Sequence, residues 1–246
     1  MKKIYWGFFL ILTFLTTLPA SWWLLSKADF FYSSLYDNIG IAEHIAKYAP
    51  KNLRGRMDFE STSKTKRVDL FHGIVEAINH QGDGLKNLFY KDVNNQLQPL
   101  LTLAEVIHLQ DVANLLDRLK ILVLGFILIW LVIVTFFRIR KVTLPSAKEL
   151  FINASIVIAL LLSAVLLISP VKVFNQLHIW VFPDNHQWFF YYEESLMSTM
   201  MKAPDLFGYI AGIWGVLSII LTLMLLLLLK FNKNINPVLS RKYGSH

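Results

Sequence analysis

The chain has 246 residues, 55% of them hydrophobic, and carries 24 Lys and Arg against 17 Asp and Glu for a net charge of +7. Ordinary soluble domains are about 45–50% apolar, so composition excludes a simple soluble globule. The absence of cysteine excludes disulfides, thiolate zinc sites, thiol nucleophiles and a lipid-modified cysteine on this chain itself.

Four apolar runs, Ile4–Leu25, Ile121–Phe137, Phe151–Ile168 and Phe207–Leu229, are free of Asp, Glu, Lys, Arg and His. They contain 22, 17, 18 and 23 residues, and a spanning helix needs about 17–25. The expectation is a mainly α polytopic membrane protein: four transmembrane helices with a small extracytoplasmic α or α+β domain. The first run follows Met1-Lys2-Lys3, as a signal peptide would. It is longer than a signal-peptide core and ends at Trp22-Trp23, so it is expected to stay as an anchor.

Lys and Arg cluster at residues 1–3, in 138–150 and in 230–246, where ten basic residues meet one acidic residue. The positive-inside rule then puts both termini and the middle loop in the cytoplasm. The remaining pieces hold fourteen basic and sixteen acidic residues. The basic balance is therefore a topology signature and gives no support to a nucleic-acid partner. The expected divisions are span 1 at 1–26, an extracytoplasmic domain at 27–101, and a motif helix running into span 2 at 102–137. A cytoplasmic loop at 138–150, span 3 at 151–169, an outer aromatic loop at 170–206, span 4 at 207–230 and a tail at 231–246 complete them.

After span 1, Phe30, Phe31, Tyr32, Leu35 and Tyr36 are expected near the surface. Asn38-Ile39-Gly40 predicts a turn, and 41–48 a short helix ended by Pro50, with His44 solvated. Residues 50–67 form a basic stretch, read as a solvated loop or, alternatively, a strip facing anionic headgroups. Residues 64–80 predict an amphipathic helix that buries Val68, Phe71, Val75 and Ile78 and stops at Gly82-Asp83-Gly84. His72, Glu76 and His80 have i/i+4 spacing, which can serve a metal. Without the HExxH order a plain polar face is the preferred reading, and no cofactor is expected. Residues 85–98 allow a short hairpin turning at Asn94-Asn95.

The chemistry concentrates in Leu101–Val112. Thr102 is a good N-cap and Glu105 follows three residues later, the pattern of a capping box. Glu105, His108 and Asp111 fall three apart on one helical face. Ile121 lies thirteen positions beyond His108, about 20 Å of helix, which puts the histidine at headgroup height. The second outer loop is rich in aromatics: Phe174, Leu177, His178 and Val181 share a helical face, Pro183-Asp184-Asn185 is a turn, and Trp188-Phe189-Phe190-Tyr191-Tyr192 follows. Trp and Tyr enrichment places that loop in the membrane interface.

Histidine is the usual side chain for proton transfer near neutral pH. His108 and His178 are the candidate catalytic pair, and His108 with Asp111 or Glu105 has the pattern of a base with an orienting acid. No GxSxG, HExxH, P-loop or GxGxxG pattern is present, so serine-hydrolase and nucleotide chemistry lack a motif. The spans hold no ionisable residue, unlike proton and ion pathways. An ester hydrolase with a histidine-activated water, and a non-enzymatic scaffold or sensor, remain the alternatives.

The pattern Glu105-x-x-His108-x-x-Asp111-Val112 at the entrance to span 2 resembles that of a four-span bacterial family. So does His178-Ile-Trp-Val-Phe182 followed by Trp188, then Pro204 and Phe207 opening the last span. The family is that of the lipoprotein intramolecular transacylases. The resemblance implies a multi-pass protein of the bacterial cytoplasmic membrane, active on its outer face. Its implied substrate is a diacylglyceryl-modified lipoprotein, met among membrane phospholipid. The implied reaction moves the sn-2 acyl chain to the α-amine of the same N-terminal cysteine, leaving a lyso-form lipoprotein. His108 and His178 would divide the proton transfers, with Asp111 and Glu105 in support. Asn175, Gln176, Trp180 and Trp188 would be oxyanion or substrate contacts.

Overall fold

A computed structural model describes residues 2–142 and 169–231, with scattered positions between them at 145–146, 148–149, 152–153, 155–156 and 163. It is mainly helical, and among the described residues three helices are long and apolar enough to cross a membrane. These are α1 (Lys2–Ser26), α5 (Leu103–Ile139) and the last helix, α8 (Asp205–Phe231). The remaining apolar run, Phe151–Ile168, lies outside the described residues except for isolated positions.

The chain divides into two compact units. The first comprises Met1–Trp23, Lys120–Ser169 and Ile213–His246. Its helices meet through small polar side chains set in apolar surroundings. The Thr17 and Thr222 hydroxyls are 2.9 Å apart, the Ser21 and Ser218 hydroxyls 2.6 Å, and the Trp130 indole donates to Thr13 Oγ1 at 3.0 Å. Thr13 and Ser218 are fully buried. In lipid a hydroxyl without a partner is costly, and each such bond adds about 0.6 kcal/mol. Phe9, Leu10, Leu226 and Leu229 pack with Trp6, Trp130 and Phe137 to close one end.

The second unit comprises Leu24–Leu119 and Pro170–Gly212. Asp29, Phe30 and Phe31 form a left-handed turn, with φ between 46° and 58°, and α2 (Tyr32–Asn38) follows. Gly40, at φ 69°, turns the chain into α3 (Ile41–Tyr48). The aromatics expected near the surface prove to be core. Phe30, Tyr32, Leu35 and Tyr36 are buried, and only Phe31 is exposed. Tyr32 stacks on Phe71 of α4 (Lys64–Asn79) at 4.0 Å, and its hydroxyl donates to the Met200 carbonyl at 2.8 Å. The polar ends of these rings find partners, so the rings can go inside.

Helix α4 is capped by Ser63, whose hydroxyl accepts the Lys66 N–H, and it buries Leu70, Phe71, Ile74, Val75 and Ile78, while Val68 of the expected stripe is only half-buried. Its polar face is tied to separate partners: His72 Nδ1 to Asp29 at 2.8 Å, and Glu76 to Lys27 and His80. Strands β1 (Phe89–Lys91) and β2 (Leu97–Pro99) pair antiparallel, Tyr90 opposite Gln98. Asp92 Oδ1 accepts the Asn94 and Gln96 N–H groups, and Asn95 takes φ 61°, so the hairpin turns where Asn94-Asn95 predicts.

The basic stretch 50–67 is more than a solvated strip. Arg56 and Arg67 are both buried. Arg56 Nη1 donates to the Pro99 and Leu100 carbonyls at 2.8 and 2.9 Å. Arg67 donates to Thr62 Oγ1, the Tyr36 hydroxyl and the Glu60 carbonyl. The guanidinium can enter the core because its fork finds several acceptors at once. His44 also departs from expectation. Its ring lies 4.6 Å from Tyr48 and 4.4 Å from Tyr192, and its Nε2 is buried without a hydrogen bond.

Candidate functional site

The site is assembled within the second unit from the start of α5 and from α6 (Pro170–Val181) with the loop after it. Helix α5 opens with the capping box. Thr102 Oγ1 accepts the Glu105 N–H at 3.3 Å, and Glu105 Oε2 accepts the Thr102 N–H. Glu105 is 0% exposed. Its other oxygen accepts the hydroxyl of Ser195, the N-cap of α7 (Leu196–Met201), and Ser195 Oγ accepts the Ser198 N–H at 2.9 Å. The carboxylate therefore ties the beginnings of two helices together. Ser195 gives its hydrogen to Glu105 and a lone pair to Ser198, so it is a structural hydroxyl.

One turn beyond Glu105, His108 is 8% exposed. Across from it, Phe174, His178 and Phe182 recur every four residues on one face of α6 and just past its end. Phe174 is 4.0 Å from the His178 ring, and Phe182 is 5.2 Å from it. The His108 and His178 ring centres are 6.0 Å apart, with their planes inclined by 33°. Phe182 at 4.9 Å and Phe190 at 6.0 Å close on His108, and Trp188 lies 5.0 Å from His178. The two imidazoles thus share one aromatic-walled site.

His178 Nδ1 lies 2.8 Å from the Phe174 carbonyl. A carbonyl only accepts, so Nδ1 carries the hydrogen and Nε2 is left with its lone pair. His108 lies in the first two turns of α5, ahead of its apolar run Ile121–Phe137. Burial, joined by the neighbouring His178 and opposed by Asp111, lowers its pKa to about 4. Burial also lowers that of His178, with the bond to Phe174 opposing. Both rings are neutral at pH 7, the form that can accept a proton.

The other sequence candidates are placed as follows. Trp188 is half-buried against His178 and Asn175 is half-buried on α6, whereas Gln176 is exposed and Trp180 is 74% exposed. Positions 176 and 180 lie two residues either side of His178, about 200° round the helix, and so face away from the rings. Asp111 does not hydrogen-bond His108. Its Oδ2 lies 2.6 Å from Nδ1 of His186, and His108 Nδ1 is buried with no hydrogen-bond partner. Sequence reasoning missed His186 and Ser195, and it named Phe182 and Phe190 only as part of the aromatic loop, without placing them against His108. A second histidine eight residues after His178, beyond the Pro183-Asp184-Asn185 turn, was the available signal for His186. Among the described residues no group of His, Asp and Glu could hold a metal ion.

A family model described as lipoprotein intramolecular transacylase Lit matches residues 7–207, which include both histidines. No curated protein and no solved structure matches the chain.

Proposed function

The chain belongs to the lipoprotein intramolecular transacylase family, and on that footing we propose that it is a membrane acyltransferase working by histidine acid–base catalysis. It moves an acyl chain from the diacylglyceryl group of a lipoprotein to the α-amine of the same N-terminal cysteine, giving a lyso-form lipoprotein. The family supports an acyltransferase that modifies lipoproteins, and the apolar helices support a membrane protein. Four spans, cytoplasmic termini and a site on the outer face of the bacterial cytoplasmic membrane complete the proposal, on the Lys and Arg distribution. The exposed apolar side chains of α6, Leu177, Ile179, Trp180 and Val181, suit a helix lying among lipid headgroups.

One observation carries the mechanism: the 6.0 Å separation of the His108 and His178 rings. A reacting centre between them comes within hydrogen-bond reach of both. The amine nitrogen attacks the ester carbonyl and loses a proton to one imidazole. The glyceryl oxygen receives a proton from the pair as its bond to carbon breaks. Half-buried Asn175 and Trp188 offer N–H donors for the developing oxyanion. Amine and ester belong to one molecule, so proximity supplies much of the acceleration and no acyl-enzyme is required. Glu105 holds α5 and α7 in register and acts through position.

Mass spectrometry of the N-terminal peptide of a co-expressed lipoprotein tests the proposal. Wild type yields an N-acylated, S-monoacylglyceryl cysteine, and His108→Ala leaves the diacylglyceryl form with a free amine. Free fatty acid with an unacylated amine would indicate hydrolysis instead, and identical products from both proteins would refute the histidine mechanism.

A further inference from the structure

Asp111 stands one turn beyond His108 on α5, yet its carboxylate binds His186. The Asp111 side chain is 17% exposed and that of His186 31%. His186 sits in the turn between Phe182, which packs on both His108 and His178, and Trp188, which packs on His178. A partly exposed His–Asp dyad therefore lies in the same turn that carries Phe182 and Trp188 to the two-histidine site. The carboxylate can only accept, so the hydrogen is on Nδ1 and the lone pair is on Nε2. This is the arrangement in which an aspartate orients a histidine as a base and balances the charge the ring gains.

We propose that His186, oriented by Asp111, is a third histidine of the reaction: it takes the first proton from the substrate's α-ammonium group and passes it to water. The assignment rests on the acyl-transfer function proposed above. An α-amine has a pKa of about 8, so at neutral pH it arrives mostly as an ammonium ion with no lone pair. Two protons must leave that nitrogen before it is an amide nitrogen, and the leaving glyceryl oxygen needs only one. The enclosed pair His108 and His178 suits the proton that moves from nitrogen to oxygen inside the site. The partly exposed dyad suits the proton that must leave.

The steps balance. The ammonium gives one proton to His186 Nε2, and the freed lone pair forms the C–N bond at the ester carbon. The second N–H proton passes through the His108–His178 pair to the glyceryl oxygen as the C–O bond breaks. His186 then releases its proton to water, so each turnover liberates one proton. Besides the dyad itself, the ionisable groups nearest along its elements are His108, one turn back from Asp111 on α5 and within reach of its charge, and Asp184, two residues before His186 in the same turn.

The test uses the full chain in proteoliposomes with a synthetic diacylglyceryl lipopeptide, with product rates followed by mass spectrometry across pH. His186→Asn keeps an N–H donor for Asp111 but cannot carry the proton. Its rate falls about 100-fold below wild type near pH 6.5, a normal size for one lost proton transfer, and the gap closes to several-fold near pH 9.5, where the amine arrives unprotonated. Asp111→Asn shows the same narrowing and serves if the first variant fails to fold. A deficit that is constant across pH in the folded variants makes the pair a structural clamp and overturns the assignment. If wild type forms no N-acylated product, the acyl-transfer function itself falls and the assignment with it. If wild type is active and His186→Asn keeps the wild-type profile, only the assignment falls.

Discussion

The carboxylate of Asp111 lies 2.6 Å from Nδ1 of His186, while His108, one turn away on the same helix, leaves its own Nδ1 without a partner. The acid that the helical spacing assigns to His108 thus serves a different imidazole, 75 residues away in sequence. His108 is held by packing between Phe182, Phe190 and His178. Enlarging that cage should therefore affect catalysis without touching a reacting group. Phe182→Ala is expected to lower the transfer rate at least tenfold through misplacement of the imidazoles, in a protein that still folds. The rate is read with the lipopeptide substrate and folding by thermal unfolding in detergent. An unchanged rate would show that the cage does not position the rings.

Glu105 is fully buried and holds Thr102 and Ser195 at once. Glu105→Ala leaves both donors unpaired and a cavity behind, and is expected to cost about 3–5 kcal/mol. Thr102→Ala removes only the cap, about 1 kcal/mol. Unfolding midpoints in detergent should rank wild type, Thr102→Ala and Glu105→Ala in that order. Equal midpoints for wild type and Glu105→Ala would mean that the carboxylate is not a structural tie.

The buried arginines and an exposed ion pair should differ in the same assay. Arg56→Ala and Arg67→Ala each strand buried carbonyl or hydroxyl groups, an expected loss of about 2–4 kcal/mol. Lys64 pairs with Asp37 at 2.6 Å, but both are exposed, so Lys64→Ala should change stability by about 0–1 kcal/mol. Comparable losses from Lys64→Ala and Arg67→Ala would contradict the buried role.

Acid should weaken the second unit. The pKa of His44 is lowered to about 4, by burial first and then by Lys202, and those of His108 and His178 are also lowered. Unfolded histidine titrates near 6.5. The unfolded chain therefore binds protons that the folded chain refuses, and stability present above pH about 6.5 is lost as pH falls toward about 4. Around His44, Lys47 and Lys202 oppose its protonation and Asp205 favours it. His44→Phe keeps the packing on Tyr48 and Tyr192 and should flatten part of the slope. A midpoint that rises between pH 6.5 and 4 would contradict the desolvation argument.

What could be read in advance was local. The capping box at Thr102 and Glu105, the Asn94-Asn95 turn and most of the α4 stripe follow from periodicity or turn chemistry within a few residues, whereas the approach of His178 to His108, 70 residues away, is an expectation that no local pattern carries. The family resemblance rested on the same stretches. What escaped was pairing at long range. Nothing near Arg67 announces Tyr36, nothing near Asp111 announces His186, and an aromatic run such as Phe30–Tyr36 reads alike whether it faces lipid or a core. Trp180 and Gln176 are close to His178 in sequence, but helical geometry turns them away from it.

The most direct measurement places a deuterated acyl chain at the sn-2 position of a diacylglyceryl lipopeptide and follows it by mass spectrometry in proteoliposomes. Wild type should move the label to the α-amine of the same peptide, with no exchange into unlabelled peptide in the mixture, and His108→Ala and His178→Ala should leave it on glycerol. Labelled free fatty acid from wild type, or full transfer by folded His178→Ala, would contradict acyl transfer by the facing histidines.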